Sequence, residues 1–77
     1  MEKEDRVILN RVRIGQELSK ARTDRGLTVR ALAEKAGVSY QNITKIENGR
    51  YNVSIDILGD VLDAMGCEIT ITKRQEE

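Results

Sequence analysis

The feature that most limits how this chain can fold is a series of glycines, each of which follows a stretch of helical spacing. Glycine adopts a positive φ without a steric penalty, so it commonly ends a helix. A serine or threonine that can cap the next helix follows the first three of them. The terminating glycines are Gly26, Gly37, Gly49 and Gly66, and the capping residues are Thr28, Ser39 and Ser54. The spacing of these terminating and capping residues predicts four short helices joined by tight turns.

The apolar spacing between these glycines agrees with helices of about 3.6 residues per turn. In the first helix Ile14, Leu18 and Ala21 repeat at helical intervals, and the helix is expected to end near Arg25. Two other predicted helices also have an apolar face. It consists of Val29, Leu32, Ala33 and Ala36 in the second helix, and of Ile55, Leu58, Val61, Leu62 and Met65 in the fourth. Residues 1–13 form an N-terminal extension whose apolar residues fit either a helix or a short extended arm.

After residue 66 the period changes from that of a helix to that of a strand. Residues 67–72, CEITIT, alternate apolar and polar side chains and are rich in β-branched residues. They predict a short strand, and residues 73–77 predict a flexible tail. The predicted fold is therefore all-α with a short β addition: a four-helix domain over residues 14–66 and a strand that needs a partner for its backbone.

The charges balance overall but are unevenly distributed. The chain has 13 basic and 13 acidic residues, and the net charge is +4 over residues 1–53 and −4 over residues 54–77, so the first part suits a polyanion.

Histidine is absent and Cys67 is the single cysteine, which excludes a structural zinc site and an intrachain disulfide. The lack of histidine, of a metal cluster and of a glycine-rich phosphate loop argues against an enzyme. With no apolar run near the ~20 residues of a membrane span, the chain is expected to be cytoplasmic.

Residues 33–49 have the features of a sharp corner between two helices. Gly37 allows the turn, and Ala33 leaves room for the following helix to cross closely. On a helical wheel of residues 40–48, hydrogen-bonding side chains without an acidic group fill an arc of roughly 140°. Such a face can lie in the major groove of DNA, where glutamine suits adenine and lysine suits guanine. The alternative is an ordinary solvated face of a small helical bundle.

With these features the chain resembles the Xre-type helix-turn-helix family, the group of the phage lambda-type repressors. The resemblance is carried by IGQELSKARTDRGLTVRALAEKAGVSYQNITKIENG and NVSIDILGDVLDAMG, within residues 14–66. It implies that bases are read from the third helix and phosphates are bound around it, and it implies an ion pair that locks the first helix to the third. The implied base-reading residues are Tyr40, Gln41, Thr44 and Lys45, the implied phosphate-binding residues are Ser39, Asn48, Arg50 and Tyr51, and the implied ion pair is Arg22 with Glu47.

The chain departs from the family pattern in two places. Many members carry a glutamine directly after the cap of the second helix, where it binds a phosphate; here the residue is Val29. Arg30, next to it, is assigned to the phosphate instead, and the alternative is an ordinary solvated arginine. The strand predicted at residues 67–72 replaces a fifth helix that is common in the family. This ending resembles the small antitoxins of the HipB and HigA kind, whose partners are toxins.

Four other features allow competing interpretations. Tyr51, in the loop beside Arg50, either binds a phosphate or is simply exposed. Tyr40 is expected to contact a thymine methyl or a phosphate rather than the core. Cys67 is interpreted as a small buried hydrophobic residue rather than a redox sensor. The strip of Asp56, Asp60 and Asp63 is interpreted as solvated rather than as a metal site.

These observations predict a sequence-specific, DNA-binding transcriptional regulator, a dimeric repressor that needs no cofactor and reads a pseudo-palindromic operator with its third helix. Two copies of the strand are predicted to pair antiparallel over the fourth helices, which would set the recognition helices about 34 Å apart. The residues predicted to form the dimer are Ile57, Ala64, Cys67, Ile69 and Ile71. The alternative is an antitoxin that neutralises a toxin partner and autoregulates its operon.

Overall fold

The computed structural model describes residues 1–75, which contain four α-helices. Helix α1 spans Lys3–Asp24, α2 spans Val29–Ala36, α3 spans Tyr40–Glu47 and α4 spans Ile55–Ala64. Helix α3 packs against α1 and α2, and α2 also packs against α4. The predicted all-α, four-helix fold is confirmed. None of the described helices is long and apolar enough to cross a membrane.

The predicted capping residues act at the starts of α2, α3 and α4. In each case a side-chain oxygen accepts a hydrogen bond from a backbone N–H of the first turn, which has no partner within the helix. The bonds run from Ala31 N to Thr28 Oγ1 over 3.0 Å, from Asn42 N to Ser39 Oγ over 3.2 Å, and from Ile57 N to Ser54 Oγ over 3.1 Å. The helix ends follow the prediction as well, since the glycine after each helix has a φ between 67° and 73°.

The corner between α2 and α3 depends on the backbone of Gly37. This residue has a φ of 71°, and the Val38 N–H donates to the carbonyl of Ala33 over 3.1 Å, which closes the end of α2. A Cβ built on Gly37 would meet nothing within 4 Å, so glycine is needed here for its φ alone. Ala33 itself is buried in the core.

All four helices contribute to one apolar core. The fully enclosed side chains, with a relative exposure of 0–1%, are those of Leu32, Ile43 and Val61, which come from α2, α3 and α4. Leu18, Ala33, Ile46 and Met65 complete the buried set. No polar or charged residue is buried among those described. Each helix therefore turns part of its predicted apolar face inward, whereas Ile14 and Ile55, which were assigned to these faces, are 41% and 83% exposed.

The N-terminal extension is helical and continuous with α1. Helix α1 begins at Lys3 and passes residue 13 without a break, so the choice between a helix and an extended arm is settled for the helix. Residues 1–10 are all exposed, and the first buried residue of α1 is Gly15. The first turns of α1 therefore extend beyond the core.

The strand predicted at residues 67–72 is absent from the described chain, and this prediction is wrong. Residues 67–75 have no regular secondary structure, and Ile69 and Ile71 are 61% and 93% exposed. A strand needs a neighbour for its backbone N–H and C=O groups, and the only competing segment, around residues 7–9, belongs to α1. Residues 68–72 instead line a groove with parts of α1 and α4. Neither the strand-paired dimer nor the antitoxin resemblance is supported, and residues 76 and 77 of the predicted tail lie outside the described residues.

Candidate nucleic-acid interface

Helix α3 has a buried side and an exposed polar side. Ile43 and Ile46 are 1% and 4% exposed and fix the helix to the core. The opposite side is open to solvent, and the structure brings together there all four residues predicted to read bases. These exposed residues are Tyr40, Gln41, Thr44 and Lys45.

The hydroxyl of Thr44 already donates a hydrogen bond within α3. Thr44 Oγ1 donates to the carbonyl of Tyr40 over 3.1 Å, one turn earlier in α3. Because a hydroxyl has a single proton, the Thr44 oxygen can only accept a further hydrogen bond from a ligand. A base presenting an amino group, adenine or cytosine, is the partner this residue suits.

The one acidic side chain of α3 is held away from the exposed face by an ion pair. Arg22 of α1 donates to both carboxylate oxygens of Glu47, from Nε over 2.7 Å and from Nη2 over 3.0 Å. Its Nη1 donates to the carbonyl of Leu27 over 2.8 Å. The two side chains are only 14% and 11% exposed, and the hydrogen bond to Glu47 raises the pKa of the Arg22 guanidinium. The predicted pair is present, and it ties the end of α3 to α1.

A close crossing of α1 with the end of α3 was not predicted from the sequence. A Cβ on Gly15 would lie 2.8 Å from the carbonyl oxygen of Glu47, and a Cβ on Gly49 would lie 2.7 Å from Val12 Cγ2. Both glycines are therefore needed for the approach of the two segments. A usable signal existed, because Gly15 lies inside an otherwise helical pattern where glycine is costly.

The residues predicted to bind phosphates are distributed around the two ends of α3. Ser39 caps the helix start, and its hydroxyl proton remains available because the oxygen is the acceptor in the cap. Asn48 and Arg50 are exposed after the helix end. Tyr51 differs from these, since its ring is partly buried and packs against the core, beside Arg11 of α1.

The start of α2 presents an arginine to α3. Val29, in the position where the family pattern has a glutamine, is partly buried and packs against the core. Arg30 is exposed, and its guanidinium carbon lies 4.1 Å from the centroid of the Tyr40 ring. The residue expected to substitute at this position is thus in contact with the first residue of α3.

The residues predicted for dimerisation divide into two groups. Ile57, Ala64 and Cys67 are partly buried against the core of their own chain, so they leave less apolar surface than their pattern suggested. Ile69 and Ile71 are exposed.

The acidic strip of α4 does not form a metal site. Asp56, Asp60 and Asp63 are all exposed. Within residues 1–75, no group of three or more histidine, cysteine or acidic side chains is arranged to hold a metal ion.

Comparison with known proteins agrees with this geometry. The family model described as helix-turn-helix (HTH_3) matches residues 18–71. The immunity repressor protein of Bacillus phage phi105 is 36% identical over 63 residues, which cover 82% of this chain and 44% of that protein. The chain spans less than half the length of the curated relatives that it matches.

Two solved structures share the arrangement of helices. The restriction-modification controller protein C.AhdI from Aeromonas hydrophila superposes with a TM-score of 0.76 at 30% identity, over 78% of this chain and 91% of that one. The clp gene regulator ClgR from Corynebacterium glutamicum gives a TM-score of 0.74 at 37% identity, over 77% of this chain and 76% of that one. Because the family match covers more than half of the sequence, the chain belongs to the Xre-type helix-turn-helix family, a family of DNA-binding transcription regulators rather than of enzymes.

Proposed function

We propose that this chain is a sequence-specific DNA-binding repressor that acts as a homodimer, with α3 in the major groove of a pseudo-palindromic operator. The observation that carries the proposal is the two-sided character of α3. Ile43 and Ile46 hold the helix rigidly to the core, while its outer side presents only neutral and basic polar groups. The major groove is wide enough for a helix and offers each base pair a distinct set of donors and acceptors.

The chemistry of the exposed side chains assigns some of them to bases and others to phosphates. Gln41 suits adenine, to which its amide can make two hydrogen bonds, and Lys45 suits the acceptor edge of guanine. Arg50 and Asn48, just beyond the helix, suit the phosphates that flank the groove. Phosphate contacts of this kind fix the register of the helix on DNA without reading sequence.

Repression is the regulatory role that the relatives favour. The phage relative is named an immunity repressor, and the two structural neighbours are named a controller protein and a gene regulator. None of these three names describes an antitoxin, so the alternative of a toxin-neutralising protein has no support from them.

A homodimer supplies the second half of the recognition surface. One α3 reaches only a few base pairs, whereas two copies on a two-fold axis read both halves of a palindrome. Exposed apolar side chains are available for such an interface. They are Ile55, Ile69 and Ile71, which are 83%, 61% and 93% exposed. Sedimentation of the full-length chain at micromolar concentration should give a dimer, and a monomer that still binds one half-site would contradict this part of the proposal.

A binding-site selection from random duplexes tests the function as a whole. The purified chain should enrich a pseudo-palindrome whose half-sites are about 10 base pairs apart, centre to centre. Affinity for the selected duplex should fall steeply as salt increases, because bound phosphates release their counterions. A selection that ends with no preferred sequence would overturn the proposal.

A further inference from the structure

One contact bridges the α2–α3 corner outside the apolar core. Arg30, in the first turn of α2, lies over the ring of Tyr40, the first residue of α3, at 4.1 Å from its centroid. A guanidinium at this distance is attracted to the electron-rich face of the ring. Both side chains are exposed, so the pair lies on the surface that carries the proposed interface with DNA.

The contact leaves Arg30 free to bind an anion. A stacked guanidinium uses its flat face, while its N–H donors point outward in the plane of the group. Within residues 1–75, Arg30 donates no side-chain hydrogen bond and belongs to neither of the two ion pairs, Lys20–Asp24 and Arg22–Glu47. Among the described residues, Arg30 therefore has no ion-pair partner in direct contact with its guanidinium.

The same contact restricts Tyr40. The ring is 37% exposed and is not among the side chains packed against the core, and its hydroxyl has no hydrogen-bond partner within the described chain. The stacked guanidinium of Arg30 therefore restricts rotation of the ring. Arg30 covers one face of the ring, and the exposed part of Tyr40, 37% of its surface, is accessible to a ligand.

We propose that Arg30 and Tyr40 act as one unit on DNA: Arg30 binds a backbone phosphate, and its stacking positions the Tyr40 ring against the 5-methyl group of a thymine in the adjoining major groove. This rests on the proposed function and adds to it, because Arg30 becomes a positioning residue for a base contact as well as a phosphate ligand. A thymine is the base that suits the unit, since its methyl group is the apolar feature of the major-groove edge. Val29 packs against the core instead of facing the DNA, so Arg30 is the polar side chain that α2 offers next to Tyr40.

The stack itself can be tested in the free protein by NMR. The ring current of Tyr40 should shift the side-chain proton resonances of Arg30 upfield. The shift should persist in Tyr40→Phe, which keeps the ring, and disappear in Tyr40→Leu. Arg30 resonances at their ordinary positions in the wild-type chain would overturn the unit whether or not the chain binds DNA.

The coupling to thymine can be tested on the selected operator with each thymine replaced in turn by deoxyuridine, which lacks only the methyl group. The wild-type chain should lose about fourfold in affinity at one position per half-site. Tyr40→Leu should bind the thymine and deoxyuridine duplexes equally. Arg30→Lys, which keeps the charge but not the planar group, should retain the salt dependence of wild type and lose most of the preference for thymine.

Two further variants separate charge from positioning. Arg30→Gln should lower the salt slope by about one per chain, and adding Tyr40→Leu should cause no further loss of thymine preference. Lys35→Gln, the matched control on the side of α2 that faces Arg25 and Asp63, should change neither quantity. A full thymine preference in Arg30→Lys would overturn this inference and leave the proposed function standing. A wild-type chain that binds no duplex specifically would overturn both.

Discussion

Helix α3 is held at its two ends by different kinds of contact. At its start, the α2–α3 corner is held by contacts between residues that are close together in the sequence. They are the Ser39 cap, the hydrogen bond that closes α2 at Gly37, and the stacking of Arg30 on Tyr40. At its end, the α1–α3 crossing uses contacts between distant parts of the chain, including an ion pair that joins residues 25 positions apart. Long-range contacts of this kind set the angle of α3 relative to the whole domain, while the corner sets where the helix begins. We therefore expect changes at the crossing to cost more stability than changes at the corner.

The largest effect is expected for Gly15→Ala. The added methyl group would meet the backbone carbonyls of Ile46 and Glu47, which cannot move aside as a side chain can, and the expected loss is about 3 kcal/mol in the free energy of unfolding. The matched control is Gly59→Ala in α4, where a Cβ would meet nothing within 4 Å. The control should be stabilised by about 0.5–1 kcal/mol because alanine favours a helix. If urea unfolding showed that both substitutions change the free energy of unfolding in the same direction, the claimed importance of the α1–α3 crossing would be contradicted.

Removal of either partner of the Arg22–Glu47 pair is expected to have the next largest effect. Arg22→Met or Glu47→Gln leaves a mostly buried group with unmet hydrogen bonds, at a cost of about 2 kcal/mol each. The double variant should lose less than the sum of the two, with a coupling of about 1–2 kcal/mol.

A control cycle for this pair is available on α1. Lys20 and Asp24 make a contact of similar length, 3.0 Å, but their side chains are 73% and 58% exposed. This exposed pair should show no measurable coupling. Simple additivity at Arg22 and Glu47 would mean that the crossing is held by packing alone.

At the corner, Gly37→Ala is expected to cost about 1–2 kcal/mol, because alanine must adopt a positive φ there. No atom lies close enough to clash, so the loss should be smaller than that of Gly15→Ala. Chemical denaturation of the two variants under the same conditions compares them directly. A larger loss at Gly37 than at Gly15 would reverse the ranking of the two ends.

The smallest of these effects belongs to the helix cap. Ser39→Ala removes the acceptor for the Asn42 N–H at the start of α3 and should cost about 1 kcal/mol. Ser39→Asp, which retains an acceptor, should restore most of this stability. Thermal unfolding that leaves both variants equally destabilised would indicate that the loss arises from the shape of the side chain and not from the cap.

The sequence predicts the corner well because its causes are local. A capping oxygen and the amide it accepts from are three residues apart, and a helix satisfies its own backbone, so Thr28, Ser39 and Gly37 could be assigned from neighbouring residues alone. The polar face of α3 follows from the same periodicity. The positions of Gln41 and Lys45 on one exposed side needed no knowledge of the rest of the chain.

The crossing and the chain end could not be predicted in this way. The Arg22–Glu47 pair was expected only through the family resemblance, and the close approach at Gly15 joins segments that no local pattern connects. For residues 67–72 a clear local pattern existed, but it led to a wrong prediction. Their alternation is typical of a strand, but a strand exists only with a neighbour, and the described chain offers none.

The central claim, that the exposed face of α3 reads bases, is tested most directly by comparing two lysine variants on the selected operator. Lys45→Ala removes a positive charge from that face, and Lys35→Ala removes the same charge from α2, where Lys35 lines a depression with Asp63 and Met65. Lys45→Ala should cost about 1–3 kcal/mol in binding and relax the preference at one base pair of each half-site. Lys35→Ala should leave the specificity profile unchanged. An unaltered profile for Lys45→Ala, or an equal change in both variants, would contradict the account.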